Sequence, residues 1–225
     1  MKKRDPSLTI RALITAAEAL FTQKGYYPVT IKELGEKAGC SPALISYYFG
    51  GKKDLYRAVV DRQLSIIDDL KQETKETPLD SLQKIHYFLK ALLRTQLDPS
   101  GHLDLCYKEL IMPSGLLDDT VWQRILSMGN YLKSLFQKAA EEGLLNPFPD
   151  ERALSHIVFT VESITETLYL VKDRATPLNP DQRPTEEVLD ELIDFVMTPM
   201  KRAERSPKPR IKSKPIWPII KNGLP

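Results

Sequence analysis

A chain of 225 residues, 42% hydrophobic and 28% charged, can bury a core of ordinary size, and two cysteines, Cys40 and Cys106, are too few for a disulfide framework. No apolar run approaches the ~20 residues that span a bilayer, and the opening MKKRD lacks the apolar centre of a secretion signal, so a cytoplasmic protein without a membrane partner is expected. The net charge of +2 hides a partition: through Lys53 nine lysines and arginines face four acids, from 201 to 225 eight face one, and the 147 residues between hold 15 against 25. A basic N-terminal lobe is the electrostatic footprint of a phosphate-backbone partner, and an acidic body keeps the remainder away from it.

The first helix is expected to start at Asp5-Pro6 and to end near Gly25, with Ile10, Leu13, Ile14, Ala17, Leu20 and Phe21 as a 3.6-period apolar stripe. Thr30 then reads as an N-cap, and Glu33 three residues later completes a capping box. Gly39 supplies a corner residue that tolerates positive φ, Cys40 fills a position that needs a small apolar group, and Ser41-Pro42 reads as the N-cap and first residue of a short helix ending near Phe49. Gly50-Gly51 breaks that helix, and Lys52 opens a long one carrying Leu55, Val59, Leu64, Ile67 and Leu70. The three short helices are expected to close a core around Leu13, Ala17, Phe21, Ile31, Leu34, Ala38, Leu44, Ile45 and Phe49. This is the grammar of a helix-turn-helix that reads DNA.

The run R-x-x-I-x-x-A-A-x-x-L-F-x-x-x-G-Y, then T-x-x-x-L-x-x-x-A-G-x-S, then Y-F-x-x-K-x-x-L-Y resembles the N-terminal domain of the TetR family of bacterial repressors over about Ser7 to Asp68. Ala43, Ile45-Ser46 and Gly51 depart from the commonest form of that pattern and look more like the CecR-like branch, as does the short segment Lys108 to Ser114. The resemblance implies an all-α fold in which an N-terminal three-helix DNA-binding domain (7–67) precedes a helical effector-binding and dimerisation domain (68–205) and a basic, proline-rich tail (206–225). It further implies a homodimer on a palindromic double-stranded operator, released when a small molecule displaces the helix that begins at Lys52. For the CecR-like branch it also implies an amphipathic xenobiotic effector and an efflux operon.

Within the motif, Ser41 to Tyr47 is the recognition helix. Base reading is expected from Ser46, Tyr47, Lys32 and the apolar surfaces of Pro42 and Ala43, with phosphate anchoring by Thr30, Tyr48, Lys52 and the N–H groups that open the next helix.

The body is expected to hold helices at 52–76, 79–97, 103–112, 117–143, 151–173 and 185–204, separated by proline and glycine breaks, with no strand and no repeat. Wide apolar faces on the last two are candidates for a four-helix interface between two copies. Polar or polarisable residues on otherwise apolar faces, namely His86, Glu109, Met112, Trp122, Met128, Phe159 and Glu162, are the candidate effector contacts, although each is also a plausible core residue. His102 and Cys106 share an i, i+4 spacing but lack further ligands, so neither metal nor cofactor is expected. No nucleophile, phosphate loop or acid/base constellation marks an enzyme; Glu162 and Glu166, one turn apart, read as a solvated face or a polar pocket wall. Two rivals stand beside the ligand-responsive regulator. One is a regulator of the same fold governed by a protein partner or by no ligand, and the other is a helical carrier or enzyme. In the tail, Trp217 with Ile216, Ile219 and Ile220 among basic residues suggests docking on an acidic body as readily as a solvated extension.

Overall fold

The computed structural model describes residues 5–97, 103–171 and 185–201. Helix α1 (Pro6–Lys24) starts where the Asp5 carboxylate accepts the Ser7 N–H at 2.9 Å, and it buries Leu13, Ala16, Ala17, Leu20 and Phe21. Helix α2 (Ile31–Ala38) carries the full capping box. The Thr30 hydroxyl accepts the Glu33 N–H at 3.1 Å, and Glu33 accepts the Thr30 N–H at 2.8 Å. Lys24 reaches back to the same carboxylate at 2.9 Å, joining the end of α1 to the start of α2.

These contacts, led by the Lys24 ammonium and then by the Thr30 N–H and hydroxyl, hold the Glu33 carboxyl well below its ordinary 4.5, at about 2. A group whose folded value is depressed stabilises the fold above its unfolded value and loses that contribution as pH falls through the folded one. Urea unfolding midpoints are therefore expected to decline between pH 4.5 and about 2, and Glu33→Gln should flatten that part of the profile. Identical acid profiles for the two proteins would show that the cap does not titrate with folding.

Helix α3 (Ala43–Phe49) begins one residue later than the proline signal suggests. Pro42 already has helical dihedrals, and the Ser41 carbonyl accepts the Leu44 N–H at 3.0 Å. Helix α4 (Lys52–Glu76) runs from this lobe into the body and buries Leu55, Tyr56, Val59, Val60, Leu64 and Ile67. Of the expected lobe core, Leu13, Ala17, Phe21, Leu34 and Ile45 are buried, while Ala38, Leu44 and Phe49 pack at its margin. Ile31 departs from the expectation: it is 37% exposed, because although it shares the face of Leu34 and Gly35, as the first residue of α2 it stands at the open end of that face.

The body follows as α5 (Ser81–Leu97), α6 (Asp104–Ile111), α7 (Asp119–Glu141), α8 (Glu151–Val171) and α9 (Thr185–Met197). Helix α5 is the centre, packed against α4, α7, α8 and α9, with Phe88, Leu92 and Phe136 fully buried around it. The helix expected to reach 204 instead tightens into a 3-10 turn at Thr198–Met200. Pro199 explains the change, since it has no N–H to donate and its ring clashes with the preceding turn of an α-helix. Lys201 then pairs in an isolated bridge with Leu145, and the Asn146 N–H bonds Met200 O at 3.0 Å, tying the chain after α9 to the loop after α7. Among the described residues there is no β-strand, and no helix is long and apolar enough to cross a membrane.

Candidate nucleic-acid interface and effector groove

The corner between α2 and α3 is set by two glycines. Gly39 is left-handed (φ +63°), which closes α2 and turns the chain. Gly35, inside α2, is a close approach: a Cβ built there lies 2.9 Å from the Cys40 carbonyl oxygen and 3.0 Å from Pro42 N. The turn therefore rests directly on the backbone of α2, locked by the Cys40 N–H bond to Gly35 O at 2.9 Å. Helical propensity argues against glycine here, so its presence marks a packing requirement.

On α3 the buried Ile45 faces inward, by helical spacing Ala43 and Tyr47 lie on the opposite side with Ser46 on its flank, and Pro42 is exposed at the start of the helix. All four are exposed, as is Ser41, and Tyr47 is 77% exposed. Tyr48 is half-buried and meets Tyr47 edge to face at 4.9 Å between centroids, so it buttresses the exposed ring from the side. Lys32 is open to solvent, with only a long 3.9 Å pair to Glu36. Thr30 is committed to its capping box. Lys52 is held in place: its ammonium sits 4.1 Å above the Tyr26 ring and donates to Tyr27 O at 3.3 Å. Burial lowers its pKa, partly offset by the Glu33 charge. No side chain caps the start of α4 beside it, which leaves a helix N-terminus and a positioned cation together.

In the body, a groove of about 470 Å³ lies between α7 and α8. Leu110, Met128, Gly129, Val158, Phe159 and Glu162 are among its walls. A second trough of about 570 Å³ continues along the same helices past Phe148 and Leu154. Lys133 lines both and pairs with Glu151 at 2.7 Å at their shared border. The structure thus brings together three of the candidate effector residues, Met128, Phe159 and Glu162. It places the others elsewhere. Met112 is 79% exposed after α6, Trp122 packs half-buried against the core, and His86 faces Asp190 at 3.5 Å beside a separate recess of about 170 Å³.

Glu109 is buried, and its two oxygens are taken by the Tyr56 hydroxyl at 2.5 Å and the Ser114 N–H at 3.0 Å. Desolvation, reinforced by this carboxylate, pushes the Tyr56 phenol well above its ordinary value. Tyr56 also packs edge-on to Phe21 and Tyr26 of the N-terminal lobe, at 5.1 and 5.3 Å. Gln63 completes the junction. Fully buried on α4, it donates to Glu18 of α1 at 3.0 Å while its carbonyl accepts the Leu105 and Cys106 N–H groups at 3.0 and 3.2 Å. Lys108 of α6 donates to Thr22 O of α1. Helix α6 is thereby bolted to α1 and α4 on one side while its Leu110 lines the groove on the other. Burial raises the Cys106 thiol, which lies against Val60 O, so it is an inert filler. His102, the Glu166 side chain and the tail with Trp217 lie outside the described residues.

Residues 13–59 match the family model described as bacterial regulatory proteins, tetR family. The chain is 25% identical over 167 residues to the HTH-type transcriptional regulator RutR of Escherichia coli O157:H7, covering 73% of this chain and 76% of that protein. Its fold is similar to AibR solved with isovaleryl coenzyme A and operator DNA, with a TM-score of 0.68 and 16% identity over 83% of this chain and 97% of that one. A gamma-butyrolactone receptor (ArpA-like protein) superposes with a TM-score of 0.67 and 18% identity, over 87% and 89% of the two chains.

Proposed function

We propose that this chain, a DNA-binding transcription regulator of the TetR family, acts as a homodimeric repressor that a small molecule releases from a palindromic operator. One observation carries the reading: α6 touches the groove through Leu110 and is fixed to α1 and α4 through Gln63, Glu109 and Lys108. A ligand that wedges α7 from α8 would shift α6, and α6 has polar bonds to the helices that position α3. Such an element, biased from two sites, is the physical content of allostery. That AibR was solved with an acyl-coenzyme A and operator DNA together supports a ligand-responsive reading of this fold. Phe195 on α9 and Phe159 on α8, 79% and 70% exposed, leave aromatic surface on these two helices and so support a second copy covering them.

The test is fluorescence anisotropy on a duplex selected from genomic DNA. Tyr47→Ala is expected to weaken binding about tenfold or more with helical content unchanged, as for loss of a groove contact worth ~1–3 kcal/mol. Lys52→Ala should lower the slope of log K against log salt by about one, the signature of a lost phosphate contact. Unchanged affinity for Tyr47→Ala at two salt concentrations would remove α3 as the reading element.

A further inference from the structure

We propose that the outer α7–α8 trough, the one that passes Phe148 and Leu154, is the docking site of this chain's own C-terminal segment, residues 206–225, which lies outside the described residues. The first reason is where the described chain stops. The Asn146 N–H bonds Met200 O at 3.0 Å, the Asn146 side-chain amide donates to Lys201 O at 3.2 Å, and Lys201 bridges Leu145. The next two residues of that loop, Pro147 and Phe148, are walls of the trough. The chain therefore leaves Lys201 at the trough's end. Sixteen residues separate Lys201 from Trp217, a span of up to about 50 Å at ~3.1 Å per residue. The trough follows two turns of α7 from Lys133 to Glu141, about 12 Å, so reach is no obstacle.

Charge and apolar chemistry agree with this. Glu141, Asp150 and Glu151 rim the trough against one ammonium, Lys133, which Glu151 meets at 2.7 Å. Glu141 accepts the Gln137 amide at 3.2 Å and Asp150 the Ala153 N–H at 2.8 Å, and neither neutral donor cancels a charge. Three carboxylates and one ammonium leave the rim net negative, whereas residues 206–225 hold five lysines and arginines and no acid. Beneath the rim lie Ala140, Leu154 and the ring of Phe148, which Phe136 meets edge-on at 6.5 Å. The segment brings Ile216, Trp217, Ile219 and Ile220, a cluster that a merely solvating tail lacks. A cavity of about 570 Å³ falls in the ~300–1,000 Å³ range that buries a group of drug size, which an indole with a flanking isoleucine matches. Pro207, Pro209, Pro215 and Pro218 have no N–H for a backbone ladder and a fixed φ, so contact led by side chains suits this segment and costs less ordering entropy. A short covalent link holds it near the trough at an effective concentration of about millimolar, which selects this chain over a second copy. Docking there needs neither DNA nor an effector.

The full chain carrying Trp122→Phe keeps Trp217 as its one indole. Acrylamide quenching of its fluorescence is expected to be about threefold or more weaker than for the synthetic peptide 206–225, as for an aromatic ring taken out of water. Glu141→Lys with Asp150→Asn turns the rim net positive while asparagine still caps α8, and should return quenching to within about twofold of the peptide. Circular dichroism confirms the fold of that variant. In the full chain, Gln137→p-benzoylphenylalanine should on illumination crosslink to residues 206–225 of the same chain. Quenching equal to that of the peptide overturns the proposal, as does shielding that the rim variant leaves intact. Crosslinks between chains, or shielding that grows with protein concentration, would make a second copy the occupant and overturn it as well. Shielding that appears only when duplex DNA is added would assign the segment to the phosphate backbone and remove it from the trough.

Discussion

Gly35→Val is expected to abolish operator binding, with a loss of about a hundredfold or more, while the body of the protein keeps its helices. The Cβ alone would meet the Cys40 carbonyl at 2.9 Å and Pro42 N at 3.0 Å, and valine adds two methyl groups to that contact. Both atoms are backbone, so neither can swing aside as a flexible side chain would. The turn must lift from α2, and the Cys40 N–H to Gly35 O bond of 2.9 Å must lengthen or break. Overpacking of this kind costs about 1–3 kcal/mol in stability. The larger effect is on recognition. Gly39, Cys40, Ser41 and Pro42 carry α3, so displacing them moves every exposed group on its reading face, and a contact worth 1–3 kcal/mol per base pair does not survive a shift of about 1 Å. Gly35→Ala should fall between wild type and valine. Anisotropy with the selected duplex measures the loss, and circular dichroism with size-exclusion chromatography confirms the body. Wild-type affinity in the valine variant would show that the turn is not seated on α2 as described.

The lobe was legible because its signals are local. A capping box is an i, i+3 relation between Thr30 and Glu33, and the Asp5-Pro6 start and the left-handed Gly39 are read within a few residues. The all-α body was legible from periodicity, and α4 was expected with its observed bounds. The core expectation fails at Ile31 because the first residue of a short helix stands at the end of its packed face, where apolar character and spacing alone do not guarantee burial. The effector residues were harder still. Met112 and Glu109 are three residues apart, yet one is 79% exposed and the other buried, because α6 ends between them at Ile111. Gln63 and Gly129 were missed. Their roles rest on partners 33 to 45 residues away in the chain, Glu18, Leu105 and Cys106 for one and Glu162 for the other. A glycine inside an amphipathic helix, as at Gly35 and Gly129, is the one cue in the sequence that could have marked such contacts, and it was passed over.

Glu109→Ala is expected to lower stability by about 2–4 kcal/mol, because it takes the carboxylate acceptor from the buried Tyr56 hydroxyl and the partly buried Ser114 N–H and opens a void between α4 and α6. For a chain of this length that corresponds to a fall of roughly 5–15 °C in Tm. Tyr56→Phe should cost less, about 1–2 kcal/mol, since the carboxylate keeps its Ser114 bond and loses one donor. The two changes are not expected to add. Once Glu109 is gone, the Tyr56 hydroxyl is itself a liability, so Tyr56→Phe in the Glu109→Ala background should be neutral or stabilising. Differential scanning fluorimetry and urea titration of the four proteins give the cycle. Additive losses would mean that the short Tyr56 to Glu109 bond contributes nothing specific. The same four proteins decide between two roles for Glu109. As an effector contact, which its sequence position suggested, its loss would weaken ligand binding with little change in Tm. As the bolt between α6 and α4, its loss lowers Tm and blunts the response of DNA affinity to ligand, even where ligand still binds.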